Sequence, residues 1–197
     1  VYSDDFGETW HALGGDVRIQ ACPGSDEPKV EELPGGDILL SGRKRYGRWF
    51  NVWHYTSDDF SQGEWDKPVA SDQVPGVIRV GANSCNGEIL LVPATNVRSG
   101  APTYVLLQSL PTGNDRTGVS IYYKEIPTNT PLTSMTMAQH WTPGLQIVFY
   151  ESAYSTMTLQ ADGRIGFFLE QAPTYYSLFY QPLTLESITD GKYRVRR

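Results

Sequence analysis

Apolar and polar residues alternate along most of this chain in short runs, and short runs of period two predict strands. Such runs fall at Val17–Ala21, Pro28–Leu33, Asp37–Gly42 and Trp49–Thr56, then at Glu88–Val92, Tyr104–Gln108 and Val119–Lys124. Leu145–Glu151, Tyr154–Gln160, Ile165–Glu170, Ser177–Tyr180 and a last apolar stretch at Leu183–Leu185 complete the series. Pro34-Gly35-Gly36 predicts a turn and Asp162-Gly163 a tight hairpin. No segment of helical length keeps a 3.6-residue period, and Glu186–Thr189 predicts at most one helical turn.

Many short strands at fairly even spacing predict an all-β fold, with a propeller first and a sandwich second. At about four strands per blade, the chain supplies about three blades of such a ring. Three blades cannot close a ring. Ser3, Asp5, Gly7, Thr9 and Trp10 fit the pattern S-x-D-x-G-x-T-W, an Asp box: a tight turn in which the carboxylate accepts backbone amides and Gly7 relieves strain. Trp10 is expected to anchor that turn into a sheet, and Ser57-Asp58-Asp59-Phe60 with Gly63-Glu64-Trp65 reads as a degraded copy. Both mark architecture rather than chemistry.

The chain has 197 residues, enough for one sizeable core or for part of a larger one. Sixteen basic against 22 acidic residues give a net charge of -6, which argues against a polyanion-binding surface. Twelve tyrosines and five tryptophans suit aromatic cross-strand packing. Two cysteines, Cys22 and Cys85, are too few for a disulfide scaffold, and their pairing stays open. His11, His54 and His140 form no metal-ligand pattern, so no cofactor and no metal is expected. No apolar run reaches membrane-spanning length, and neither a nucleotide-binding glycine loop nor an aromatic-basic nucleic-acid face is visible. The chain opens inside a motif without an initiator methionine, which predicts a processed or truncated start.

The candidate chemistry centres on Tyr154, at the head of an alternating run. Asp26-Glu27, Arg43 and Arg116 stand at the ends of other predicted strands. The runs SDDFGETW (3–10), DEPKVEELPGGDILLSGR (26–43), NGEILLVPA (86–94), LLQSLPTGNDRTGVSIYYKE (106–125) and SAYSTMTLQADGRIGFFLEQ (152–171) carry a likeness over nearly the whole length. The sequence resembles the C-terminal half of a bacterial exo-α-sialidase (neuraminidase) catalytic domain, closest to glycoside hydrolases of gut Bacteroides-type bacteria. The resemblance implies about three blades of a six-bladed β-propeller over residues 1–197, with no second domain. It also implies a secreted, periplasmic or cell-surface location.

By that resemblance Tyr154 is the nucleophile and Glu27 the glutamate that activates it, while Arg43 and Arg116 are the second and third arginines of a substrate-carboxylate triad. Asp26 stands where related sequences often have asparagine. The first arginine, the acid/base aspartate and the first blades are not among these residues. The expected partners are therefore sialylated glycans and an N-terminal half of the same sialidase, as a separate or cleaved chain. The expected activity is retaining hydrolysis of terminal α-linked sialic acid. Trans-sialidase or intramolecular trans-sialidase activity, or a non-catalytic sialic-acid-binding propeller, are the alternatives.

The residues suit that chemistry. Guanidinium groups hold a planar carboxylate through paired, charge-assisted bonds. A neutral phenol avoids repulsion from the substrate's own carboxylate, but with a pKa near 10 it needs a base. Arg45, Arg48, Arg98, Arg164, Arg194, Arg196 and Arg197 are expected to be surface residues, and Glu31 and Glu32 solvated acids. Thr95–Pro102 and Thr128–Pro143 are expected to line the pocket rim, and the tail 175–195 to pair across the join with the missing half.

Overall fold

The computed structural model describes residues 1–15, 20–76, 78, 80–81, 85–172 and 176–196. The predicted strand at Val17–Ala21 falls largely outside them. Thirteen strands and two single-turn helices form three antiparallel sheets among the described residues. The first holds β1 (Asp26–Glu32), β2 (Ile38–Lys44), β3 (Gly47–Tyr55) and β4 (Gly63–Trp65) in that order, with β5 (Val69–Ala70) also on β3. The second holds β6 (Ile89–Asn96), β7 (Pro102–Pro111), β8 (Val119–Ile126) and β9 (Thr142–Gln146), and β13 (Tyr193–Val195) returns to pair with β6. The third holds β10 (Ser152–Leu159), β11 (Ile165–Gln171) and β12 (Ser177–Leu183). The all-β expectation holds.

The middle sheet is buried on both faces, and its sequence shows why. On β7, Val105 and Leu107 pack toward the third sheet with Met157, Phe167 and Leu169. Leu106 and Leu110 pack toward the first, with Leu39, Phe50 and Val52. A strand covered on both sides needs apolar residues at consecutive positions, as in VLLQSL, rather than strict alternation. Each such side chain contributes about 1.5–3 kcal/mol of transfer free energy. Alternation survives where one side is open: β1 alternates exposed and half-buried positions, and on β11 Phe167 is fully buried while its neighbour Phe168 is 44% exposed, whereas β3 is buried at successive positions.

Two short helices close the ends of these cores. α1 (Ser134–Ala138) is capped by Thr133, whose hydroxyl accepts the Thr136 amide, and it buries Met137 and Ala138. α2 (Leu185–Ile188) is capped likewise by Thr184, and buries Leu185 and Ile188. The turn predicted at Glu186–Thr189 is thus present, whereas α1 lies in a segment expected to line the pocket.

Several other expectations need correction. The run Leu145–Glu151 is not one strand. The Val119 carbonyl accepts from both the Ile147 and Val148 amides, pairing with β8 ends there, and the chain bends through exposed Phe149 and Tyr150 to begin β10. Thr95–Pro102 and Thr128–Pro143 lie away from the Arg116 turn, because antiparallel β7 and β8 put successive connections at opposite ends. The tail supplies β12, paired with β11, and β13, paired with β6, and the other side of β12 carries no strand among the described residues. Trp10 is 63% exposed and donates to the Gly7 carbonyl of its own turn instead of entering a sheet.

The two SDDF segments form similar turns. Asp5 accepts from the Thr9 amide and hydroxyl, and Asp59 from the Ser61 amide and hydroxyl. Phe6 and Phe60 both take left-handed backbone angles, with φ of 60° and 58°. These hydrogen bonds favour the ionised acids, so Asp5 lies well below the usual carboxylate range and Asp59 falls to about 2.

Candidate functional site

Glu27 sits in a bulge. Asp26 pairs with Arg43 and Lys29 with Ser41, leaving an irregularity between them, and Glu27 takes a φ of 43°. Its amide is held by the Asp26 carboxylate at 2.9 Å. Left-handed backbone is uncommon for a glutamate, and strain of this kind gathers at functional sites. The bulge re-aims the side chain. Glu27 Oε1 accepts the Tyr154 hydroxyl at 2.5 Å and forms an ion pair with Arg43 Nη1 at 3.1 Å.

Tyr154 enters from β10, the edge of the third sheet. Its approach is fixed by the turn between β7 and β8. There the Arg116 carbonyl accepts the Ser152 amide at 2.8 Å, and Thr117 bridges Glu151. Arg116 also has a positive φ, 61°, which turns its side chain so that the guanidinium lies 5.7 Å from the Tyr154 ring centroid. That is within cation–π range. Arg116 Nε and Glu27 Oε2 are both buried without a hydrogen-bond partner among the described residues.

All four singled-out side chains, from three different sheets or turns, therefore meet at Tyr154. The hydrogen bond to Glu27 raises the Tyr154 phenol above its ordinary value, with burial and the Glu27 charge adding to it. The Arg116 cation opposes that shift. At neutral pH the tyrosine is a phenol whose proton already points at a carboxylate. Beside it opens a cleft of about 180 Å³, lined in part by Lys29, Asn86, Tyr154, Thr156, Phe168 and Glu170. Larger hollows of about 450 and 510 Å³ lie by the first turn, against Trp53, Tyr55 and Trp65. No arginine or carboxylate lines them among the described residues, so cavity size does not locate the chemistry here.

Beneath the site runs a buried polar seam that the sequence did not suggest. Arg48 is wholly buried, not a surface residue: its guanidinium donates to Ser41 Oγ and to the Ser41 and Cys85 carbonyls. Burial pulls it down to about 10, which leaves it charged at neutral pH. Ser41 Oγ bonds Gln108 at 2.7 Å, linking the first sheet to the second, and Ser109 bonds Ser155 at 2.8 Å, linking the second to the third. Arg45, Arg98, Arg164, Arg194 and Arg196 are exposed as expected, and Arg197 lies outside the described residues.

Glu31 is half-buried rather than a solvated acid. Burial pushes it up to about 7, although the Leu91 amide holds it down in part. Glu32 is exposed. Cys22 and Cys85 are free and buried, with burial raising their thiols to about 12 and about 11. Among the described residues no cluster of His, Cys, Asp or Glu is arranged to hold a metal ion.

No protein-family model matches this chain, and no curated protein matches it. A solved structure does: the intramolecular trans-sialidase from Ruminococcus gnavus, in complex with oseltamivir carboxylate. The TM-score is 0.60 at 18% identity, and the match covers 100% of this chain and 38% of that one. The fold is sialidase-like. At that identity the likeness concerns the fold alone, and this chain spans little more than a third of the neighbour's length.

Proposed function

We propose that this chain contributes about three blades of a six-bladed sialidase propeller, and that Tyr154 and Glu27 form the nucleophile–base pair of a retaining exo-α-sialidase. The observation that carries this reading is the 2.5 Å hydrogen bond from the Tyr154 hydroxyl to Glu27. A phenol needs a base to become a nucleophile, and one is already in contact with it.

In the first step Glu27 takes the Tyr154 proton as the phenolic oxygen attacks the anomeric carbon. The bond to the leaving-group oxygen breaks, and that oxygen is protonated by an acid outside these residues. Water then attacks the glycosyl–tyrosine intermediate, giving its proton to the conjugate base of that same outside acid, while the tyrosine leaves with its proton restored from Glu27, and the configuration is retained. Sialidases differ in this way from glycosidases that use two carboxylates. Arg43 and Arg116 would hold the sugar carboxylate by charge-assisted bonds. Arg43 already bears on Glu27, and Arg116 on the tyrosine ring.

We also propose that a further segment of the same protein, in one chain or two, completes the ring and supplies the remaining arginine and the acid/base aspartate. The outer side of β12, which carries no strand among the described residues, supports this, with Leu178, Phe179 and Tyr180 exposed on that strand. An apolar strand edge is ordinarily covered. Sialylated glycans place such an enzyme outside the cytoplasm, as a secreted, periplasmic or cell-surface protein.

Transfer is the second reading, because the structural neighbour is an intramolecular trans-sialidase. The same four residues serve both. A sialic-acid-binding module without catalysis would need the arginines but not a tyrosine–glutamate pair. The test uses the complete protein, a sialoside and a fluorinated sialic acid inactivator. Free sialic acid and a label on Tyr154 support hydrolysis, an anhydro or transferred sugar supports transfer, and turnover with a label elsewhere overturns the assignment.

A further inference from the structure

The strands that carry Tyr154 and Glu27 belong to different sheets and share no backbone ladder. One hydrogen bond between two side chains does not by itself fix their separation. A second tie lies two residues further along both strands. Glu88, just before β6, accepts the Thr156 hydroxyl from β10 at 2.7 Å and pairs with Lys29 of β1 at 3.2 Å, both through Oε2. Thr156 and Tyr154 line the same cleft, although the register of β10 shifts between Ser152 and Ser155. Lys29 follows Glu27 immediately past the bulge.

Glu88 is itself held firmly. Its Oε1 accepts the Ile89 amide at 3.2 Å, its own amide donates to Ser109 Oγ at 3.0 Å, and its carbonyl accepts from Gln108 Nε2 at 3.0 Å. Ser109 is also the residue that bonds Ser155, the neighbour of Tyr154. The backbone before Glu88 lies so close to β7 that a Cβ at Gly87 would collide with the Ser109 carbonyl. The middle sheet thus presents one carboxylate, anchored at its base, to the two flanking strands at once.

We propose that Glu88 is a positioning residue: a strut that sets the spacing of β1 and β10 and so holds the Tyr154 hydroxyl in contact with Glu27. The proposal rests on the sialidase reading for its kinetic consequence, but its geometric consequence stands apart from it. Glu88→Ala removes both ties. Glu88→Gln keeps an acceptor for Thr156 and loses only the charge facing Lys29. Thr156→Val removes one tie at an exposed position, where misfolding is not a concern.

The experiment measures steady-state kinetics of the complete protein on a sialoside for the three variants, together with crystal structures of wild type and Glu88→Ala. Small misplacements of reacting groups cost up to about 100-fold. Glu88→Ala is therefore expected to lower kcat about 10- to 100-fold with KM unchanged. Thr156→Val should shift kcat the same way by less, and Glu88→Gln should restore most of the loss. In the Glu88→Ala crystal the Tyr154–Glu27 contact should open beyond about 3.2 Å, the limit of a good hydrogen bond. An unchanged contact overturns the strut, as does an effect on KM alone or no rescue by glutamine. If wild type turns over no sialoside, the sialidase reading fails, and the crystallographic distance alone decides the role of Glu88.

Discussion

Arg43 and Arg48 are direct register partners across β2 and β3, one at the mouth of the site and one wholly buried beneath it. Like charges facing each other across a sheet are destabilising unless something offsets them. Here Glu27 pairs with Arg43 while Ser41 and the Cys85 carbonyl hold Arg48. The Glu27 charge also favours the Arg48 cation. Positive potential under the site is thus built into the scaffold as well as presented at its surface.

Replacing Arg48 tests that arrangement. Arg48→Met strands the Ser41 and Cys85 acceptors at about 1–3 kcal/mol each, offset in part by no longer holding a desolvated cation. A net loss of at least about 2 kcal/mol is expected by chemical denaturation. A variant as stable as wild type would show that the buried charge is dispensable.

On the proposed mechanism, Tyr154→Phe removes the attacking oxygen and keeps the ring against Arg116. Turnover of a sialoside by the complete protein should fall by about three orders of magnitude or more. Glu27→Gln should cost about 10²- to 10⁴-fold, as loss of a general base does. Near-normal kcat in either variant would move the chemistry elsewhere.

Arg43→Ala and Arg116→Ala should each weaken binding of sialic acid or an unsaturated anionic analogue by about 2–5 kcal/mol, measured calorimetrically. Arg98→Ala, at an exposed turn far from Tyr154, serves as the control. Equal affinities across the three would show that these arginines do not hold the ligand.

His54 gives a dependence on pH. Its Nδ1 lies 2.7 Å from Asp37 and its Nε2 3.5 Å from Asp66. Burial lowers its pKa, but hydrogen bonds and charge from the two carboxylates outweigh burial and leave it raised. A raised folded-state value stabilises fully below the unfolded imidazole value of about 6.5, and the benefit is lost as pH rises through the folded value. The difference in melting temperature between wild type and His54→Gln should therefore shrink from about pH 5.5 to about pH 8.5. A constant difference would mean that His54 does not change protonation between those pH values.

Much of this fold was legible because its signals are local. The repeated SDDF tetrapeptide announced two similar turns, and Asp162-Gly163 a hairpin that closes between β10 and β11. The middle sheet's apolar runs were visible as strands, but only the structure showed that both faces are covered. Arg48 was misread because Gly47-Arg48-Trp49 follows a turn, where a cation normally faces solvent; its burial depends on Ser41 and Cys85, neither adjacent in sequence. Glu31 looked solvated for the same reason, its burial coming from β6. The candidate site residues were found through family likeness, whereas the left-handed backbone of Glu27 and Arg116 and the supporting contacts of Glu88 are three-dimensional facts without a local signature.

Coverage of the middle sheet on both faces has a consequence for how the molecule opens. Amides on β7, flanked by β6 and β8 and buried on either side, should exchange with solvent deuterium only when the whole chain unfolds. Amides on β12, a strand exposed along most of its length at a sheet edge, should exchange through local fraying. Tyr154 stands between these regimes: its strand is a sheet edge, yet Ser109 and Glu88 tie it to the most protected part of the chain. Protection at β10 should then follow the integrity of those two ties, so the slow-exchanging core reaches the tyrosine through side chains as well as through the backbone bond between Ser152 and Arg116.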